Sequence, residues 1–230
     1  MRSTLTTLCA ERGIPLSAQQ ADLLCAFGQA LLQKNQVMNL TAVTEPDEVA
    51  ERHFVDSLEL LRLTDFRGKA VIDVGCGAGF PGVPLKIGEP TLRLTLLDSL
   101  GKRIAWLREL LPELGIEANA VCARAEDAVR AERECYDVAV SRAVARLNVL
   151  CELCLPFVKV GGVFLAMKGA SALEEADEAK AGIVRLGGRL ERVAEYPNGG
   201  AVHRVLVIRK VQATPVGYPR AYAKIKQRPL

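Results

Sequence analysis

The chain has 230 residues, half of them apolar and a quarter charged, the composition of a globular protein with ample core. No stretch approaches the 18 or more apolar residues of a membrane span, and the opening residues soon reach Glu11 and Arg12 without a secretory pattern, so a cytoplasmic protein is expected. The net charge of +3 is unevenly placed. From Tyr196 onward there are seven Lys and Arg and no acid, leaving 23 of the 30 bases against all 27 acids before it. A basic end on an acidic body offers a grip on a polyanion.

Residues 17–36 repeat Leu, Ala and Phe at helical spacing behind Ser17, a plausible N-cap. Asn39-Leu40-Thr41 reads as a turn, and Glu45-Pro46-Asp47 leads into a second helix over about 47–63. From Lys69 the texture changes: apolar runs of strand length (AVIDVG, LRLTLLD, ANAVCA, YDVAVSRA, GGVFLAMKG, HRVLVIRK) alternate with helix patterns at 82–89, 101–114, 125–130, 146–158 and 171–186. That alternation predicts an α/β, Rossmann-like fold with a mostly parallel sheet and helices on both faces. The expected divisions are an N-terminal helical extension over 1–66, a cofactor-binding domain over 67–211 and an irregular basic arm over 212–230, which holds three prolines and no apolar period.

Seven cysteines at scattered positions point to a reducing compartment rather than a disulfide framework. Cys151 and Cys154 have CxxC spacing, but no second CxxC or His pair completes a zinc site. They lie in an apolar helical pattern and read as core residues, and no metal is expected.

The sharpest local signal is the segment from Val71 to Gly82, an apolar strand running into a glycine-rich turn and a helix start. Glycines permit positive φ and let a ligand approach the backbone. A dinucleotide fingerprint would place a third glycine where Phe80 stands; the pattern is instead Asp73-x-Gly75-x-Gly77-x-Gly79. This favours S-adenosylmethionine, whose ammonium Asp73 can hold directly or through water, over a dinucleotide or a structural turn. Asp98 closes the next strand, 23 residues beyond Gly75, where a carboxylate can accept both ribose hydroxyls. Ala125 and Glu126 follow the third strand, at the adenine end, although an acid there also suits a first helical turn. Arg142 ends the fourth strand. Beside a cationic donor it needs a carboxylate or phosphate partner.

With Asn39-Leu40-Thr41, Arg52-His53-Phe54-Val55-Asp56-Ser57, the Asp73–Gly82 loop, Leu97-Asp98-Ser99-Leu100-Gly101-Lys102-Arg103, Ala125-Glu126, Ser141-Arg142-Ala143 and Lys168-Gly169, the chain resembles the bacterial small-subunit ribosomal RNA guanine-N7 methyltransferases, the glucose-inhibited division protein B family, from about Leu23 to its end. The resemblance implies methyl transfer from S-adenosylmethionine to N7 of a guanine in 16S ribosomal RNA, in the assembled small subunit. It also implies donor contacts at Gly75, Phe80, Ala125, Glu126 and Arg142. The tail keeps Tyr218-Pro219-Arg220 but departs from the Lys, Gly and Pro residues that often follow in the family.

N7 carries an exposed lone pair and needs no prior deprotonation, so orientation can dominate catalysis. Arg142 and Lys168 are expected to orient rather than to exchange protons, and no general base is named. His53, Asp56 and Ser57 share one helix face and are expected either to meet the nucleotide or to cap the cofactor loop. With Asn39 and the basic residues Arg220, Lys224, Lys226 and Arg228 they form the candidate RNA contacts. A monomer is expected. Two rival functions share these features: a small-molecule methyltransferase, and an RNA-binding assembly factor on the same fold.

Overall fold

The computed structural model describes residues 1–142 and 145–230; Ala143 of the Ser141-Arg142-Ala143 segment lies outside them. Seven strands form one sheet in the order β3-β2-β1-β4-β5-β7-β6, with β1 Ala70–Val74, β2 Arg93–Asp98, β3 Ala118–Cys122, β4 Tyr136–Arg142, β5 Val158–Lys168, β6 Gly188–Asn198 and β7 Ala201–Lys210. The first five pair in parallel, and β7 runs antiparallel between β5 and β6. The strand order reverses between β1 and β4, and ligands of such sheets bind beyond the carboxyl ends of the strands at that crevice.

Strand alternation sorts the core into two layers. Val71, Val163, Leu165 and Met167 face one side; Ile72, Phe164 and Ala166 face the other. The first side is covered by α1 (Arg2–Glu11), α2 (Ala18–Met38), α5 (Gly82–Gly88) and α6 (Gly101–Glu113), whose Leu5, Phe27, Val83 and Leu107 are fully buried. The second side is covered by α7 (Ala125–Glu132), α8 (Leu147–Cys154) and α9 (Ala172–Arg185). Cys151 and Cys154 sit there fully buried, where burial pushes both thiols well up. Among the described residues no helix is long and apolar enough to cross a membrane.

Ser17 caps α2 as its sequence predicts, accepting from the Gln20 amide while the Gln20 side chain accepts from the Ser17 amide. The single helix expected over 47–63 is instead four short pieces: α3 (Pro46–Val49), a π-helical turn (Ala50–Val55), α4 (Asp56–Leu58) and a 3-10 turn (Glu59–Arg62). Ser57 donates its hydroxyl to the His53 carbonyl at 2.6 Å, one turn back, which competes with the regular ladder and opens the turn.

Three elements escaped the sequence pattern. One is α1. The second is β6, an edge strand whose exposed residues include the charged Arg189, Glu191, Arg192 and Glu195, as suits an edge. The third corrects the irregular arm: Tyr222–Gln227 form a helix, α10, whose Ile225 is fully buried.

Candidate functional site

A cleft of about 570 Å³ opens at the carboxyl ends of β1 to β4. Its floor is the glycine turn. Gly75 and Gly77 have φ of +76° and +56°, the left-handed region that disfavours side chains. The Gly75 and Cys76 amides donate to the Leu97 carbonyl at 2.8 and 3.1 Å, tying the turn to the end of β2. Gly79 also has a positive φ of +95° but is not among the cleft's lining; a Cβ there would lie 2.7 Å from Val83.

Asp98 lines the cleft with its carboxylate held from behind. One oxygen accepts from the Gly77 amide at 2.9 Å and the other from the Leu100 amide at 2.8 Å. Each oxygen keeps a further lone pair for a ligand hydroxyl. Ala125 and Glu126, at the first turn of α7, line the adjoining wall.

Of the two arrangements expected for Asp73, a direct contact and one through water, the structure does not offer the direct one. It is fully buried beneath the turn, accepting from the Gly82 amide at 2.8 Å, and its other oxygen has no partner. Gly82 is small for the same reason, since a Cβ would stand 2.9 Å from that carboxylate. Burial pushes the Asp73 pKa up to about 7, against the pull of the Gly82 amide and of Arg142.

The opposite wall combines Phe80, His53 and Arg142. The Arg142 guanidinium lies 4.9 Å from the Phe80 ring centroid, and the His53 ring is 4.9 Å from it on another side. The Thr41 hydroxyl donates to His53 Nε2 at 2.7 Å, and His53 Nδ1–H donates to the Arg52 carbonyl at 3.0 Å, the pairing that neutral imidazole allows. Burial, then the charge of Arg142, lowers the His53 pKa to about 4.

The partner that Arg142 needs is Asp56, 3.1 Å away and 1% exposed. Asp56 and Ser57 are therefore internal supports and do not face an incoming nucleotide. Lys168, expected to orient substrate, is not in the cleft: it is an almost fully buried ion pair with Glu175 at 2.8 Å and also donates to the Ala145 carbonyl. Asn39 is exposed at the left-handed C-cap of α2, beside Leu40 and Thr41 of the cleft wall.

The basic end is partly neutralised. Arg220 grips the fully buried Glu152 through its amide and guanidinium, and Arg204, Arg209 and Lys210 pair with Glu195, Glu191 and Glu134. Lys224, Lys226 and Arg228 are exposed.

Sequence reasoning missed several cleft residues. Thr41 and Leu100 lie within recognised segments but have no chemical signature of their own. Asn35 holds the 39–41 turn from within α2, accepting from the Leu40 and Thr41 amides and donating to the Thr41 carbonyl.

The glycine floor, the ribose-compatible carboxylate and the buried acid together fit the expected methyl donor. The family model described as rRNA small subunit methyltransferase G matches residues 20–203. The chain belongs to that family. It is a methyltransferase. Relatives named ribosomal RNA small subunit methyltransferase G include one from Alkaliphilus metalliredigens, 46% identical over 96% of this chain and 95% of its own length, and one from Bacillus cytotoxicus, 46% identical over 93% and 92%. Among solved structures, TrmN from Thermus thermophilus aligns with a TM-score of 0.55 at 23% identity, over 67% of this chain and 48% of its own. Precorrin-6y C5,15-methyltransferase from Geobacter metallireducens aligns at 0.54 and 14%, over 75% and 92%. At these identities both show the fold alone.

Substituting Asp98 by Ala is expected to weaken S-adenosylhomocysteine binding by about 1–3 kcal/mol, the range for losing hydrogen bonds to a charged group. Calorimetric titration of the folded variant checks it. Wild-type affinity would remove Asp98 from the ribose site.

Proposed function

We propose that the protein transfers the methyl group of S-adenosylmethionine to N7 of a guanine in 16S ribosomal RNA, acting on the small ribosomal subunit. The carrying observation is the cleft at the sheet's switch point, in which a backbone-held carboxylate and a glycine floor stand opposite a His53 whose ring nitrogens are both engaged. Asp98 holds the ribose hydroxyls, Gly75 and Gly77 admit the ligand to the backbone, and Ala125 and Glu126 meet the adenine edge. The donor supplies an electrophilic methyl group.

Two features of the wall support attack by a ring nitrogen that already bears a lone pair. The imidazole of His53 is engaged at both nitrogens and resists protonation until about pH 4. The charge of Arg142 is balanced by Asp56 and spread over the face of Phe80, which lets an arginine stand beside a cationic donor. Catalysis then rests on holding N7 in line with the methyl group, an effect that can reach roughly 7–11 kcal/mol.

The test is methyl transfer from labelled donor to small subunits from cells lacking the activity, followed by mapping of the modified base. Label in a single 16S guanine as 7-methylguanosine is expected. Transfer to another atom, or only to small molecules, would refute the proposal.

The exposed charges of α10 and of Arg228 just after it are the proposed phosphate contacts of the basic end. Replacing Lys224, Lys226 and Arg228 together by Gln is expected to leave the melting temperature near wild type. The slope of log affinity for RNA against log salt should become shallower by about 0.7–0.9 for each phosphate that is no longer neutralised. An unchanged slope would move the contact elsewhere, with exposed Lys102 the next candidate.

A further inference from the structure

The C-terminal helix brings one aromatic ring to the donor cleft. Tyr222, the first residue of α10, lines that cleft together with Leu100, Arg124 and Ala125, at the end where the adenine belongs. It lies beyond residues 20–203 described by the family model, in the stretch where the chain departs from the Lys, Gly and Pro residues of its resemblance.

The segment that carries Tyr222 is anchored at three points. Three residues on, Ile225 occupies the same helix face and is fully buried against the second core layer. Before the helix, Arg220 is clamped to Glu152, itself fully buried in α8. Arg133 donates to the carbonyls of Thr214 and Tyr218, at 2.7 Å each, and of Pro215 at 3.0 Å, which ties the preceding loop to the end of α7. Against the ring itself stands the Arg124 guanidinium, 5.5 Å from the centroid. Tyr222 also borders a second cavity of about 430 Å³, shared with Glu126, Arg130 and Tyr218, and so stands as a partition between the two spaces.

We propose that Tyr222 is a donor-binding residue: its ring closes the adenine subsite and packs against the base. This rests on the donor-site reading above. An aromatic face suits a flat π-system whatever its hydrogen-bonding edge, and base–aromatic stacking is worth enough to be read in affinity. The C-terminal segment thus serves cofactor binding as well as any phosphate contact, because the helix that exposes Lys224 and Lys226 to solvent turns Tyr222 to the cleft. Anchoring costs the ring little entropy on binding, since the loop and helix are already fixed.

The experiment measures S-adenosylhomocysteine and adenosine affinity for the full chain and for the Tyr222→Ala and Tyr222→Phe variants, with melting curves for each. Tyr222→Ala should weaken both ligands by a similar factor, roughly 5- to 150-fold for the loss of one stacking face. Tyr222→Phe should bind as wild type does. In Tyr222→Trp, adenosine should quench an indole signal that the wild type, with Trp106 buried in α6, does not show. A folded Tyr222→Ala protein with wild-type affinity overturns the proposal, as does a Tyr222→Trp protein whose added fluorescence ignores bound adenosine. If wild type binds no S-adenosylhomocysteine, the donor-site reading fails and this one with it. Binding by wild type with no loss in Tyr222→Ala overturns this one alone.

Discussion

Replacing Asp56 by Ala is expected to destabilise the protein by about 3–5 kcal/mol, the cost of removing one member of a buried charged network. Four donors converge on that carboxylate from three separate parts of the chain. One oxygen accepts from the Tyr196 hydroxyl at 3.0 Å, the Asn198 amide at 3.0 Å and His203 Nδ1–H at 2.8 Å; the other accepts from Arg142 at 3.1 Å. Ala would leave a largely buried guanidinium without its counter-charge and a buried tyrosine hydroxyl and amide without an acceptor. Each is costly in a low-dielectric setting.

The pH dependence follows from the same contacts. Burial alone would raise the Asp56 pKa, but the hydrogen bond from His203 and the charge of Arg142 outweigh it, and the carboxyl titrates below its ordinary value. A depressed folded pKa means stability that is present above about pH 4, the unfolded value, and lost as pH falls through the folded one. Urea unfolding at pH 7 and along the acid limb checks both statements. The variant should lose stability at neutral pH and show a flatter acid limb. A loss below about 1 kcal/mol would mean that the network is slack. Donor affinity should also fall, because Arg142 would no longer be held over Phe80.

The parts of this arrangement that the sequence reveals are those with a period or a spacing. Alternation of Val71 and Ile72, or of Phe164 and Leu165, places strands with two buried faces, and the glycines at 75 and 77 with Asp98 mark the cleft. Residue type alone misplaces others. His53, Asp56 and Ser57 share a helix face in the pattern, yet only His53 reaches the cleft, because the opened turn directs Asp56 toward β6 and β7. Lys168 looks like a phosphate ligand until the turn into α9 brings Glu175 back onto it, and Arg220 does until Glu152 meets it from 68 residues away. Long-range pairs of this kind have no local signature. Nor has α10: its six residues bury Ile225 through a loop fixed by Arg133, and no periodicity develops over so short a span. Asp73 is a subtler case. Its position before the turn points to a contact with the ligand's ammonium, whereas the fold buries it beneath the turn with one oxygen unpartnered.

That burial carries the second large prediction, for Asp73→Asn. With a folded pKa of about 7 and an unfolded one near the ordinary carboxyl value, about 3.9, the native chain holds a proton that the unfolded chain has already lost throughout the interval between them. Where the native state binds more protons, stability falls as pH rises. Asp73 therefore destabilises the free protein progressively from about pH 4 to 7, at about 1.4 kcal/mol for each pH unit crossed, and by a few kcal/mol in all above that interval. The asparagine variant can keep an acceptor for the Gly82 amide and has no charge to bury. Its melting temperature should match or fall below wild type near pH 4 and exceed it at pH 8. A cationic ligand above the turn would favour the ionised form. Donor binding below pH 7 should accordingly expel a proton from Asp73. The variant should bind more weakly, by about tenfold for each unit by which the ligand lowers the carboxyl pKa in wild type. Calorimetric titration in two buffers of different ionisation enthalpy reads the proton directly. The titrations are run near pH 6, well below the pKa of about 7.7–8 of an α-amino group, so that the ligand's ammonium stays protonated and the difference between the two proteins belongs to the carboxylate. Equal proton release by the two would show that the buried acid does not sense the ligand, and Asp73 would then serve only to hold the first turn of α5 through Gly82.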